Sequence, residues 1–312
     1  MLHGLLKGQG PARQLFALLL LHLMGKFVFS ALGLILITAF TDFDLIANAD
    51  RIGRLEEYPG LTGPYRFLLF LTHFGQFILP ALLFPFLIGE RLQSFFRFKW
   101  LDEKRILFTL LALFLFFPVS NYLTQLNAGM ELPEWLGGLE ETIKGLEERS
   151  RSVAKELLAT DSTPHLVGNI LLMAALPAIG EELIFRGTLQ RMLNRWSGNI
   201  HLAIWGTAFL FAALHLQFYS FLPRFALGAL FGYMLVRTGT LWVPVLGHFL
   251  NNATVIIISY LGSQKSVPDD YGESGGQEGQ GYWVLISFFL IMLLFYTAKR
   301  WFETDPVEEE RG

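Results

Sequence analysis

The chain has 312 residues, of which 53% are hydrophobic and only 16% charged, with a mean hydropathy of +0.44 and a net charge of −3. Soluble domains carry about 25% charged residues, so this is the composition of a polytopic, all-α membrane protein in contact with the lipid bilayer. The weak net charge gives no reason to expect a nucleic-acid partner, and the absence of Cys excludes disulfides, thiolate metal sites, cysteine nucleophiles and lipidation of the chain's own cysteines.

Residues 1–24 are apolar but carry Lys7, Arg13 and His22, and no small-residue cleavage site marks them as a signal peptide. They lie either in the interface before a first span over Phe27–Ile46, or inside a longer span over Leu15–Phe40. Lys26 is interfacial in the first arrangement and mid-membrane in the second; an interfacial or snorkelling position is the reading taken. A second span is expected over Phe67–Ile88, with Pro80 and Pro85, and a third over Ile106–Leu126. Residues 128–164 are polar and Glu-rich and predict an extracytoplasmic segment with a helix over Glu134–Leu158.

Four further spans follow: His165–Leu189, continuing as helix to Arg195, then Ile200–Leu216, Phe221–Val236 and Leu241–Leu261. A Gly/Ser/Asp-rich stretch, Ser263–Gly281, reads as a mobile loop before a last span over Tyr282–Ala298 and an acidic tail. About eight transmembrane helices result. They divide into membrane helices in 1–127, the polar segment 128–164, a four-helix core in 165–262, and a loop, helix and tail in 263–312. Lys and Arg are denser in the loops that lie inside when the N-terminus is inside, which predicts cytoplasmic termini. No internal repeat supports a transporter.

The stretch Pro177–Gly187 places Glu181, Glu182 and Arg186 inside an apolar run. Ionisable side chains at membrane depth are expensive and point to function. Glu182 and Arg186 are one helical turn apart and can pair, while Glu181 is rotated by about 100° and needs a partner from elsewhere. Pro177 removes a helix hydrogen bond one turn earlier, and Gly180 and Gly187 permit close approach of neighbouring helices. Gly228 and Gly232 do the same for the sixth span.

Three more polar positions complete the pattern. Phe211 and His215 are one turn apart in the fifth span, and His248 and Asn252 one turn apart in the seventh. Glu181 and His215 are equidistant in sequence from the turn at Gly198, so an antiparallel hairpin sets them at one depth, about 25 Å from that turn. A carboxylate beside a histidine in a low-dielectric site is a candidate base for water, and an imidazole with an amide can serve a developing oxyanion. No Ser-His-Asp pattern is evident, which argues against a covalent intermediate.

Glu181-Glu182-x-x-x-Arg186, Phe211-x-x-x-His215 and His248-x-x-x-Asn252, in this order on successive helices, resemble the CAAX-protease and bacteriocin-processing (Abi-type) family of intramembrane endopeptidases. That family includes the Ras-converting CAAX endopeptidase, and the resemblance runs from about Leu166 to Tyr260. It implies hydrolysis of a peptide bond by water activated by Glu181 with His215, and an oxyanion held by His248 and Asn252. Glu182, Arg186 and Phe211 would shape the site. It also implies a peptide or membrane-protein substrate, which can be lipidated, and the inner membrane of a prokaryote as a location. No cofactor is expected.

Two other readings use the same residues. Glu181, His215 and His248 could ligate zinc with an open water position, although no His-Glu-x-x-His helix is present. A non-catalytic scaffold or bacteriocin immunity protein could bind a peptide in the same cavity. His3, His22, His73, His165 and His201 lack a comparable constellation and read as interfacial or packing residues.

Overall fold

The computed structural model describes residues 2–41, 47, 57–159, 162–263 and 280–302. Most of the expected loop at Ser263–Gly281 and the acidic tail lie outside the described residues. Among the described residues there are ten helices and no strand. They are α1 (Pro11–Phe40), α2 (Thr62–Ile88), α3 (Leu92–Phe96), α4 (Glu103–Ala128), α5 (Gly137–Leu158), α6 (Thr163–Ser197), α7 (Ile200–Leu214), α8 (Phe221–Thr238), α9 (Trp242–Ser263) and α10 (Gln280–Phe302).

Seven of these are long and apolar enough to cross a membrane: α1, α2, α4, α6, α8, α9 and α10. The protein is therefore an integral, multi-pass helical bundle. The eighth expected span corresponds to α7, whose 15 residues extend only about 22 Å against a hydrocarbon core of about 30 Å. It starts where the Asn199 side chain accepts from the His201 and Leu202 amides, and it stops at His215 because Leu216 adopts a positive φ of 54°.

The N-terminal span also differs from the reading taken. Residues 11–24 belong to the same helix as Phe27, so α1 is one 30-residue rod. Pro11 opens it and nothing afterwards breaks it. Lys26 consequently sits near mid-helix on an exposed face, not at a helix end. Alongside it α1 crosses α2 in close contact: a Cβ on Gly25 would lie 1.8 Å from the Gly75 carbonyl oxygen. Only hydrogens at these positions allow the crossing.

Both proline-containing helices on the path to the site accommodate their prolines in the same way. In α2 a π turn at Phe74–Ile78 precedes Pro80, and in α6 a π turn at Ile170–Ala175 precedes Pro177. A second π turn in α6 spans Leu183–Leu189. A π turn holds more residues than an α turn, so it re-aims the side chains beyond it.

Two apolar clusters frame the bundle. One gathers Phe84, Phe95, Phe96, Ile184, Phe185 and Leu241 from α2, α3, α6 and the segment leading into α9. The other joins α4, α8, α9 and α10 through Phe108, Ala112, Phe231, Met234, Val243 and Ala298. The predicted helix in the polar segment forms as α5, and it is tied to the start of α8 by Glu147, which accepts from the Tyr219 amide at 3.0 Å.

Candidate active site

The α-helical turn Leu176–Glu182 lies between the two π turns of α6 and carries both glutamates into the bundle. Glu182 is 0% exposed, Arg186 1% and Glu181 9%. The pairing expected from their spacing is present: Arg186 Nη1 donates to Glu182 Oε1 at 2.8 Å. The other guanidinium nitrogen, Nη2, donates to the Gly228 carbonyl at 3.0 Å. Gly228 is required here, since a Cβ would lie 3.2 Å from that nitrogen and from Ala208. The small-residue surface of α8 thus admits the arginine as well as a helix.

Glu182 Oε1 has a second donor. His248 Nδ1 lies 2.9 Å from it, and a carboxylate can only accept, so Nδ1 carries the hydrogen. This fixes the His248 ring and leaves Nε2 facing Glu181, with 3.9 Å between Nε2 and Glu181 Oε2. Nε2 accepts in the neutral ring and donates when the ring is protonated. Phe231 stacks on the imidazole at 5.6 Å and 26°, and Phe211 meets it edge-on at 5.9 Å. Phe211 also lies under the Arg186 guanidinium, 4.5 Å from its centroid. One aromatic ring therefore touches the cation, both histidines and Phe185.

His215 is half-buried at the C-terminal end of α7 and stacks edge-on with Phe211 at 4.8 Å. Its Nδ1 donates to the Phe211 carbonyl at 2.6 Å, which leaves Nε2 as the free nitrogen. Among the described residues no hydrogen bond joins His215 to Glu181; His248 is the histidine opposite that carboxylate. Asn252 is half-buried on α9, and its carbonyl oxygen accepts from Asn251 Nδ2 at 3.2 Å. It makes no hydrogen bond to Glu181 or either histidine among the described residues. The structure thus binds Glu182, Arg186 and His248 into one unit and sets Glu181 beside it. His215 joins through Phe211.

As for zinc, among the described residues no three His, Cys, Asp or Glu side chains converge in a metal-holding arrangement. His248 Nδ1 is engaged by Glu182, and His215 Nδ1 by a carbonyl. An Nδ1 held in this way leaves Nε2 of each ring as the atom that would face a metal.

Residues 163–254 match the family described as type II CAAX prenyl endopeptidase Rce1-like. We refer to this stretch, for that similarity, as the Rce1-like segment. It holds every member of the constellation. A stretch of 105 residues is 33% identical to the uncharacterized protein YpbD of Bacillus subtilis (strain 168) and covers 32% of this chain. The chain spans about half the length of that relative, 49%. No solved structure matches. The similarity to a peptidase family falls on the part of the chain that carries the buried charges.

Some site residues escape a reading of the sequence. Phe231 is one of thirty Phe, so its type gave no signal. Arg224 is half-buried on α8 and acts electrostatically on both Glu181 and His215. Its position within an apolar run was the available clue. His73 read as packing or interfacial, yet its Nε2 lies against Gly180: a Cβ there would be 2.8 Å away.

Proposed function

We propose that the chain is a CAAX-type intramembrane endopeptidase of the glutamate class, with Glu181 as the base. The observation carrying this is an almost fully buried carboxylate with no cation hydrogen-bonded to it, beside a neighbouring carboxylate whose Oε1 accepts from both Arg186 and His248. Glu182 is neutralised by Arg186, so Glu181 is the carboxylate left to accept a proton. A water held between Glu181 and the free Nε2 of His215 loses its proton to Glu181 as its oxygen attacks the peptide carbonyl. The tetrahedral oxyanion is stabilised by His248, donating from Nε2 in its protonated form, and by the Asn252 amide. Glu181 then passes the proton to the departing amine as the C–N bond breaks. Glu182 holds the His248 ring, and Phe211 holds both rings apart.

The substrate in this reading is a peptide or membrane protein with a prenylated cysteine near its C-terminus, recognised in the bilayer. The protein sits in a prokaryotic plasma membrane with both termini cytoplasmic, which requires α7 to cross as a short eighth span. Arg186 and Arg224 lie within helices and add nothing to the loop charge that predicts this orientation. Because the chain has no Cys, single cysteines at Gly198 and Gly137 report the orientation. Labelling from outside at Gly137→Cys but not at Gly198→Cys is expected, and the reverse pattern overturns the topology.

The function is tested with the purified full chain and an internally quenched peptide bearing an S-prenyl cysteine four residues from a free C-terminus. Wild type is expected to cut it, Glu181→Ala is not, and exhaustive chelation is expected to leave the rate unchanged. Activity lost on chelation and restored by stoichiometric Zn²⁺ overturns the metal-independent mechanism. Activity that survives both chelation and Glu181→Ala overturns the assignment of Glu181.

A further inference from the structure

A cavity of about 320 Å³ lies between α2 and α6, outside the constellation just described. Thr72, His73 and Gln76 line it from α2, and Leu172, Met173 and Pro177 from α6. Pro177 is one helical turn from Glu181, so the α6 wall of the cavity continues directly into the candidate base. Binding pockets of this kind begin at roughly 300 Å³, enough for a short stretch of peptide.

The α2 wall is unusually polar for helices at membrane depth. Thr72 is held from behind by Ser30 of α1 at 2.9 Å, and Gln76 Nε2 lies 3.0 Å from His22 Nε2. His73 is placed differently. Its ring leans on Phe77 at 4.6 Å, and Phe77 leans on Phe185 of α6. The Leu176 carbonyl acts on the ring, but Nε2 is buried with no partner in proper hydrogen-bond geometry. The absence of a Cβ at Gly180 allows this nitrogen to reach the residue preceding Glu181. The π turns of α2 and α6 that flank this contact lie beside His73 and just before Pro177.

We propose that this cavity is a substrate subsite, in which His73, through Nδ1, and Gln76 hold the backbone N–H and C=O groups of the extended peptide beside the scissile bond. This rests on the endopeptidase reading. An extended peptide inside a membrane protein must have its backbone groups met by protein, because bulk water does not reach them. Histidine and glutamine offer both a donor and an acceptor, as an amide requires. Leu172 and Met173 complete an apolar floor for side chains. The hairpin α1–α2 lies outside the Rce1-like segment, so it is the part of the chain that can set preference without altering the chemistry.

Two measurements on the full chain test this. With the quenched prenyl-cysteine peptide, His73→Leu is expected to raise KM about five- to tenfold with kcat nearly unchanged, and His73→Gln to restore most of the loss. A photoreactive benzoylphenylalanine replacing Leu172, in the Glu181→Gln background, is expected to label the same peptide. An unchanged KM, a loss confined to kcat, or cleavage without labelling at position 172 overturns the subsite and leaves the endopeptidase reading standing. Labelling at 172 with no cleavage by wild type supports the subsite and overturns the endopeptidase reading. Neither labelling nor cleavage overturns both.

Discussion

The Rce1-like segment and the α1–α2 hairpin both bring polar side chains to membrane depth, and they solve the resulting desolvation problem differently. The segment uses charge: Glu182, Arg186 and His248 are buried and joined at Glu182 Oε1 by hydrogen bonds of 2.8 and 2.9 Å, while Glu182 Oε2 and Arg186 Nε have no partner among the described residues. Around the cavity the hairpin uses neutral groups, with half-exposed Ser30–Thr72 and His22–Gln76 pairs, while its Arg66 lies nearer the start of α2 and donates to Asn169 and the Leu157 carbonyl. A buried ion pair is costly to break because its surviving partner has no solvent, whereas a neutral pair can be rehydrated or replaced at lower cost. The first arrangement suits a fixed catalytic geometry and the second a wall that different substrates can line.

The strongest way to break this contrast is at Glu181. Glu181→Gln is isosteric and should lower the cleavage rate by about 10²–10⁴, the usual contribution of a positioned base. Its melting temperature should stay at or above that of wild type, since an uncompensated carboxylate has been removed. A variant that cleaves at the wild-type rate removes the base from the mechanism.

Arg186→Ala tests the charge unit itself. It strands Glu182 at 0% exposure and should cost roughly 3–5 kcal/mol, visible as a lower melting temperature and a poorer folded yield. Equal melting temperatures for the two proteins would show that the pair does not hold this region together. Next comes Asn252→Ala, expected to retain activity at about 10²–10³ below wild type, as for loss of one oxyanion donor. A rate within twofold of wild type would remove Asn252 from the site.

On the hairpin side, Gly25→Ala forces a methyl into the Gly75 carbonyl and should destabilise by about 1–3 kcal/mol. The contrast predicts that its effect on cleavage falls mainly on KM; a pure kcat effect would tie the hairpin to the chemistry. The smallest effect is expected at the aqueous edge. Lys144 at 2.9 Å, together with the Tyr219 hydroxyl at 2.7 Å, holds the Glu140 carboxyl below the usual carboxylate range. A carboxylate with a depressed pKa stabilises the fold above its unfolded pKa, and that stability fades as pH falls through the folded value. Glu140→Gln should therefore slightly flatten the acid side of a plot of melting temperature against pH, and leave neutral behaviour almost unchanged. An unaltered acid limb would mean that Tyr219 and Lys144 contribute nothing there.

Much of the architecture was legible in the sequence because membrane helices are written as long apolar runs, and in lipid a helix must satisfy its own backbone. The same holds for the Glu182–Arg186 pair, which is local and follows from one helical turn. The fifth expected span is shorter than read because helix length depends on where the backbone turns, and Leu216 takes a conformation that its type does not signal. The choice between the two N-terminal spans was not legible, because a helix runs through a single lysine when nothing interrupts its hydrogen bonds.

The sequence by itself determined the solvent, the helical class and the residues able to do chemistry, since all three depend on composition and on separations of a few residues. Only the tertiary structure decided that His248, 66 residues away, shares an oxygen of Glu182 and faces Glu181, while His215 stands behind Phe211. It alone placed His73 against Gly180. Those choices depend on the crossing of helices far apart in the chain, and crossings are set by paired small residues and re-aimed π turns rather than by the periodicity of any one segment.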